Sequence, residues 1–481
     1  MRRALVVAGG ELRLLLRSRL AAIGLGALLA LSAVAAWTSS AHVAREHATR
    51  AAHQAAVDRL FDDQPARHPH RVVHYGTYAH RPLGPLAAFD PGVDPYTGTT
   101  LYLEGHRQNV AAFGAARESS GLLRFGQLTP AFVLQTLAPL LLVFLGYASV
   151  ARERESGGLR QLYSHGARAV DVLAGKALAL GAVALAVALP AGIALVAAAA
   201  SVPAEVPAAL AVAAGHLLYL AAWVLAIAAI SAFAGTARTA LVALVAAWTV
   251  AVVVLPRVAA EYALRAEPLP SRVETDLRLQ AELRELGDSH DANDPFFAEF
   301  RRRTLERYGV ERIEDLPVNF RGLVSAEGET LTSRLFVEYA ERLAAIQRAQ
   351  RARVDAFAWA TPALAVRRAS MTAAGSDLEN HLRFLAQAEA YRYDLIQRLN
   401  RLHADGVAYA DDVQRSRDAA AERRTRVVAS HWQQLPDFRF EPASPRERLA
   451  AARPALLALG GWVAALIGVL ALAARRLERT A

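Results

Sequence analysis

The chain has 481 residues, 54% apolar and 21% charged, against roughly 45–50% apolar in ordinary soluble domains. A soluble chain of this length would form about three domains with charge distributed throughout, and here the charge is segregated. The net charge of +9 comes from 54 basic residues of which only Lys176 is lysine. That skew reads as base-composition bias, and mixed Arg/Glu stretches such as Glu274–Glu285 offset much of it, so nucleic acid is set aside as a partner. There is no cysteine, which removes disulfide and metal-thiolate chemistry.

In chain order, residues 1–19 predict a cytoplasmic amphipathic helix, with Leu5, Leu12, Leu15 and Leu16 alternating with Arg2, Arg3, Arg13, Arg17 and Arg19. Uncharged runs follow over Leu20–Ala44, Phe125–Ala151, Ala177–Ala204, Val206–Ala237, Thr239–Pro256 and Pro454–Ala474. About 20 apolar residues cross a bilayer core. The runs therefore predict an all-α polytopic membrane protein with six transmembrane helices, at residues 20–41, 130–150, 172–200, 206–232, 238–256 and 453–474. The first run also has the outline of a cleaved signal, with Ala33-Val34-Ala35 as a cleavage-like site. With five spans behind it, a retained anchor is expected.

Arginines of short loops mark the cytoplasmic side. Arg152, Arg154, Arg160 and Arg168 separate the second and third spans, Arg238 the fourth and fifth, and Arg475, Arg476 and Arg479 follow the sixth. The turn after the third span carries Glu205 and no basic residue. Both termini, the connector at 151–171 and the tail at 475–481 are expected inside. Residues 42–129 and 257–452 then form two extracytoplasmic insertions.

The first insertion is expected to be mixed α/β. It opens helically to about Phe61; Arg71–His80 and Thr99–Gly105 carry strand formers, with turn residues between them from Pro82 to Gly98. The second reads as mainly helical: Glu329–Ala360, ended by Thr361-Pro362, then Asp377–His403 and Asp411–Gln433.

No Asp, Glu, Lys or Arg lies deep in a span, which argues against an ion relay within this chain. His216 and Tyr219 in the fourth span are expected to bond neighbouring helices or to sit at the membrane edge, ahead of any role in transport. Pro139 and Pro190 each remove a backbone donor and are potential kink sites. The connector Ala151–Arg168 reads as helix–turn–helix broken at Gly157-Gly158, a surface on which a partner can push.

This connector resembles the inner loop of ABC transporter type-2 permeases, through Glu153, Glu155, Gly158, Leu159, Leu162, Ser164, Arg168, Gly175 and Lys176. It departs from that pattern at Gly157-Gly158, where Gly-Thr is common, and at His165-Gly166, where proline is common. His74–Tyr78, Asp90–Gly98, Leu103–Asn109, Ala369–Met371, Gly375–Asp377 and Glu389–Arg392 are similar to a subgroup with large outer insertions of unknown function, related to gliding-motility and copper-enzyme-maturation permeases. The resemblance implies a non-catalytic permease subunit of the bacterial inner (plasma) membrane. Its ATPase-coupling residues would be Arg152, Glu153, Glu155, Gly157, Gly158, Leu159, Leu162 and Arg168. Its partners would be a separate ABC ATPase and a second permease chain, identical or not.

The chain lacks a motor of its own. A phosphate-binding loop needs Gly-x4-Gly-Lys-Ser/Thr, and Lys176 has Val170 and Ala177 where the first glycine and the hydroxyl belong. ATP and magnesium are thus expected only in the partner, and no cofactor in this chain. No metal site is expected either: His68, His70 and His74, with His80, are the candidates, and solvated or structural histidines explain them. An outer hydrolase is disfavoured because no His-Glu-x-x-His or Gly-x-Ser-x-Gly string occurs. A mechanotransmission scaffold acting on a periplasmic partner remains a second reading.

Overall fold

The computed structural model describes residues 2–114, 126–289, 291 and 294–480. Six of its helices are long and apolar enough to cross a membrane: Arg19–Asp62, Pro130–Glu155, Ala169–Ser201, Pro203–Phe233, Ala237–Ala266 and Pro445–Arg479. The fold is that of an all-α polytopic membrane protein. Several of these helices outlast their apolar runs, because leaving lipid does not break a backbone hydrogen-bond ladder. The first holds 44 residues, about 66 Å at 1.5 Å per residue. Ser18 separates it from the N-terminal helix Arg2–Arg17 and accepts the Ala21 N–H at 3.4 Å.

Two spans contain π-helical turns, Val133–Leu137 and Thr249–Val254. Each precedes a proline, Pro139 and Pro256, which cannot donate to the preceding turn. In lipid the freed carbonyls need other donors. Tyr219 Oη donates to Gln135 O at 2.7 Å, Trp248 Nε1 to Thr136 O at 3.2 Å, and Thr361 Oγ1 to Ala251 O at 2.8 Å. His216 meets the Gln135 side chain at 3.2 Å. The fourth span thus bonds the second as expected from sequence, while Pro190 lies inside an uninterrupted helix.

The main core continues past the bundle. Ala365, Val366, Ala373 and Ala374 of helix Pro362–Ala374 pack in one cluster with Val212, Tyr219, Ala458 and Leu459 of the fourth and sixth spans. Arg448, at the start of the last helix, reaches Glu205 at 2.5 Å and Ala373 O at 3.0 Å, with both ionic side chains buried.

Beyond the bundle, strands β1 (Thr77–His80), β2 (Thr100–Glu104) and β3 (Arg107–Gln108) form an antiparallel sheet in that order, with Thr77 opposite Leu103 and His80 opposite Thr100. Leu101 and Leu103 of β2 pack against Phe384, Ala388 and Phe438, so the first insertion lies on the long helix Leu378–Gly406 of the second.

Three expectations need correction. Arg71–Val73 is helical, within Pro69–Val73, because His68 accepts the His70 N–H and Pro69 opens the turn. Asp411–Gln433 is three short helices, Tyr409–Gln414, Ala419–Arg424 and Ser430–Gln433. Asp412 is drawn into a buried polar network and Asp418 caps a new helix through the Ala420 N–H. The helix expected from Glu329 starts at Phe320 under an Asn319 cap and ends at Ala356.

Two measurements test this packing. Arg448→Met strands Glu205 and should destabilise the solubilised protein by about 3 kcal/mol; adding Glu205→Gln should restore much of that in thermal unfolding. Burial, then Arg81, holds the His381 imidazole down to about 4. As pH falls from about 6.5 to about 4, the unfolded chain takes up this proton first, so stability is lost across that window. His381→Leu should flatten the acid limb of the melting profile.

Candidate functional site

The connector between the second and third spans is held from several sides. The backbone N–H groups of Val150 and Ala151 donate to Ser231 Oγ at 3.1 and 3.2 Å, and Ser231 donates to Tyr147 O at 2.7 Å. Arg154 donates to Ala232 O at 2.6 Å and to Ala234 O. Its charge thus sits at the C-terminal end of the fourth span, where the helix dipole favours a cation. Helix Ala151–Glu155 then turns through Gly157, in the left-handed region at φ 78°, into helix Gly158–Ser164. A side chain at Gly158 would meet Glu153 Oε2 at 2.2 Å. The first glycine supplies the backbone conformation and the second the room.

Glu153 is occupied because it bonds Lys176. That lysine is buried at the start of the third span, with Nζ 2.5 Å from Glu11 Oε2 and 3.2 Å from Glu153 Oε1. One ammonium therefore joins the N-terminal helix, the connector and the third span. Gly175, beside it, lets the N-terminal helix approach: a Cβ there would lie 2.6 Å from Val7 Cβ and 2.7 Å from Ala4 O. Arg3 donates to Gly166 O, and Arg476 lies over the Phe233 ring at 5.6 Å. Both termini therefore gather around the connector.

The eight residues nominated from sequence separate into four groups. Leu159 is buried with Val172, Leu173, Ala232, Ala473 and Leu477, and Leu162 packs on the same cluster. These leucines attach the connector to the bundle. Gly157 and Gly158 shape the turn, and Glu153 is the internal tie. Arg152, Glu155 and Arg168 are exposed, as are Arg160, Gln161, Ser164 and His165, which were not among the nominated coupling residues. Burying the leucine face of Gly158–Ser164 is what exposes the opposite one. Glu11 and Ser231 were also missed, since nothing local in the sequence ties them to residues 151–168.

The candidate histidines diverge. His68 Nε2 lies 3.1 Å from Asp412 Oδ1, and Asp412 also takes His403 Nε2 at 2.8 Å, Asn319 Nδ2 at 3.1 Å and Arg415 Nε at 2.9 Å. Burial pushes the Asp412 carboxyl up, but the bonds from His403 and His68 outweigh it and hold it well below the carboxylate range. Burial lowers the His68 imidazole. The network latches the start of the first insertion to the second. His70 and His74 instead face each other, with Nε2 atoms 3.1 Å apart; His80 bonds Thr100.

Six apolar helices, two large insertions and a braced charged connector at the end holding both termini describe a polytopic membrane protein. The family model for ABC-2 family transporter proteins matches residues 5–287, and the chain belongs to that family. A domain of unknown function (DUF3526) matches residues 272–441. No curated protein and no solved structure matches the chain. Membership makes this a membrane permease subunit of an ABC transporter, a family whose permeases work with an ABC ATPase.

Lys176→Met should leave Glu11 and Glu153 without their shared cation and loosen the N-terminal helix. The expected loss is about 1.5–3 kcal/mol, read as faster proteolysis at Arg13 and Arg17 with the outer insertions still protected.

Proposed function

We propose that this subunit couples ATP hydrolysis by a separate ATPase pair to export across a bacterial inner membrane, working with a second permease chain. Both termini and the connector lie in the cytoplasm, where the short-loop arginines concentrate. The ATPase docks on the exposed face of Arg152, Glu155, Arg160, Gln161 and Arg168, while Leu159 and Leu162 transmit the push into the bundle. ATP and magnesium belong to the partner. The observation that carries this reading is the bracing of the connector: Ser231, Arg154 and Lys176 fasten it to the third and fourth spans and the N-terminal helix. A displacement there must move those helices.

A second reading, mechanical transmission to a periplasmic partner without passage of solute, is favoured by one feature. The first span runs without a break from the Ser18 cap to Asp62, where Phe61 packs with Trp432 and Val73 of the outer region. A stiff rod of this kind carries motion outward.

The double variant Arg152→Glu/Arg160→Glu should abolish co-purification with the ATPase and coupled hydrolysis, with an unchanged melting temperature because both side chains are exposed. An intact complex would remove the docking assignment. His47→Pro, which interrupts the rod at a cost of about 3 kcal/mol, should spare ATPase assembly. Retained substrate-stimulated hydrolysis in that variant would favour export over transmission.

A further inference from the structure

Among the described residues, His70, His74 and His106 each offer a ring nitrogen, and these atoms lie within 4.8 Å of one another. His70 and His74 come together because they are one helical turn apart, on Pro69–Val73 and its capping residue. Their Nε2 atoms are 3.1 Å apart, close to the about 3.3 Å edge of a tetrahedron with metal–nitrogen bonds of about 2.0–2.1 Å. The third histidine arrives from the β2–β3 turn. Gly105 N donates to Val73 O at 3.1 Å, and a Cβ on Gly105 would meet Val73 Cγ1 at 2.2 Å. That turn is therefore clamped to the end of the helix. His106 takes a left-handed backbone, φ 61°, uncommon without glycine, which brings its ring over His70 and His74 at 5.8 and 5.4 Å between centroids.

We propose that His70, His74 and His106 bind a late first-row divalent ion, zinc or copper(II). Neutral imidazoles suit these ions, and a second layer supports the third ligand. His106 Nδ1 lies 3.3 Å from Glu329 Oε2, and its backbone N–H donates to the same oxygen at 3.1 Å. Nε2 is then the nitrogen that His106 offers the ion. Glu329 is fully buried; its other oxygen takes Arg392 Nη1 at 2.6 Å and Ser333 Oγ at 3.1 Å. A carboxylate on the far nitrogen is the arrangement that orients metal-bound histidines and raises their basicity. Three protein ligands leave a fourth position, and His74 is solvent-exposed, so the ion enters from solvent and exchanges. All three ligands belong to the first insertion and their support to the second. Ion binding therefore strengthens the contact between the insertions, whatever crosses the bundle.

The test uses the full chain in detergent, with a histidine-free affinity tag, stripped by chelator and titrated separately with Zn2+ and Cu2+ by calorimetry. The wild type should take one equivalent of at least one of the two ions and melt higher with it. His74→Ala, at an exposed position, should keep the metal-free melting temperature and lose at least about tenfold in affinity. Glu329→Gln should weaken binding about 10–100-fold. Nitrogen splitting in the Cu2+ paramagnetic resonance spectrum should simplify in His74→Ala. A wild type that binds neither ion, or binds no more tightly than His74→Ala, overturns the site and leaves His70 and His74 a plain imidazole pair. If Glu329→Gln fails to fold, His74→Ala still decides.

Discussion

A carbonyl facing hydrocarbon without a donor costs several kcal/mol, and much of this molecule follows from that constraint. It makes every span a helix and turns Pro139 and Pro256 into a demand for outside donors. Pro139 and Pro256 shift their helices into π-helical turns, and the displaced carbonyls are met by Tyr219, Trp248 and Thr361. Two of these donors come from other spans. Thr361 belongs to the second insertion, so the outer region and the bundle share one hydrogen-bond inventory.

The end of the bundle that holds both termini obeys the corresponding rule for charge. Lys176 is buried, and it is tolerable there because Glu11 and Glu153 both reach it. Gly175 gives the N-terminal helix the close approach that lets Glu11 do so. A helix that would otherwise lie loosely on the membrane surface becomes part of the connector's foundation. The connector is fastened to its neighbours on several sides, as the proposed coupling requires.

The six spans were legible because uncharged length is a direct physical signal, and the N-terminal amphipathic helix because its period is local. The roles within the connector were half legible. Residue types marked Leu159 and Leu162 as important, but only packing shows that they face inward and that Arg160 and Gln161 face out. The histidines show the limit most clearly. In extended chain residues 70 and 74 would be about 13 Å apart; a cap by His68 makes them helical neighbours. His106 is brought in by a glycine clearance and a left-handed turn, neither of which has a periodic signature. Likewise, the break in Asp411–Gln433 depends on Asp412 finding His68 and His403 across the fold, a long-range event invisible to local propensity.

Helix Pro362–Ala374 is sewn into the bundle in the middle of the second insertion, with Ala369 facing Gly215, where an added Cβ would lie 3.6 Å from Ala369 Cβ, and Val366 in the common core. The insertion is therefore not an excisable module. Cut free at 257 and 452, it would present a naked apolar stripe of Ala365, Val366, Ala369 and Ala373 to water and would lose the partner of Arg448. Its apolar face is completed by the membrane part of the same chain, so the insertion depends for its core on the helices that receive it.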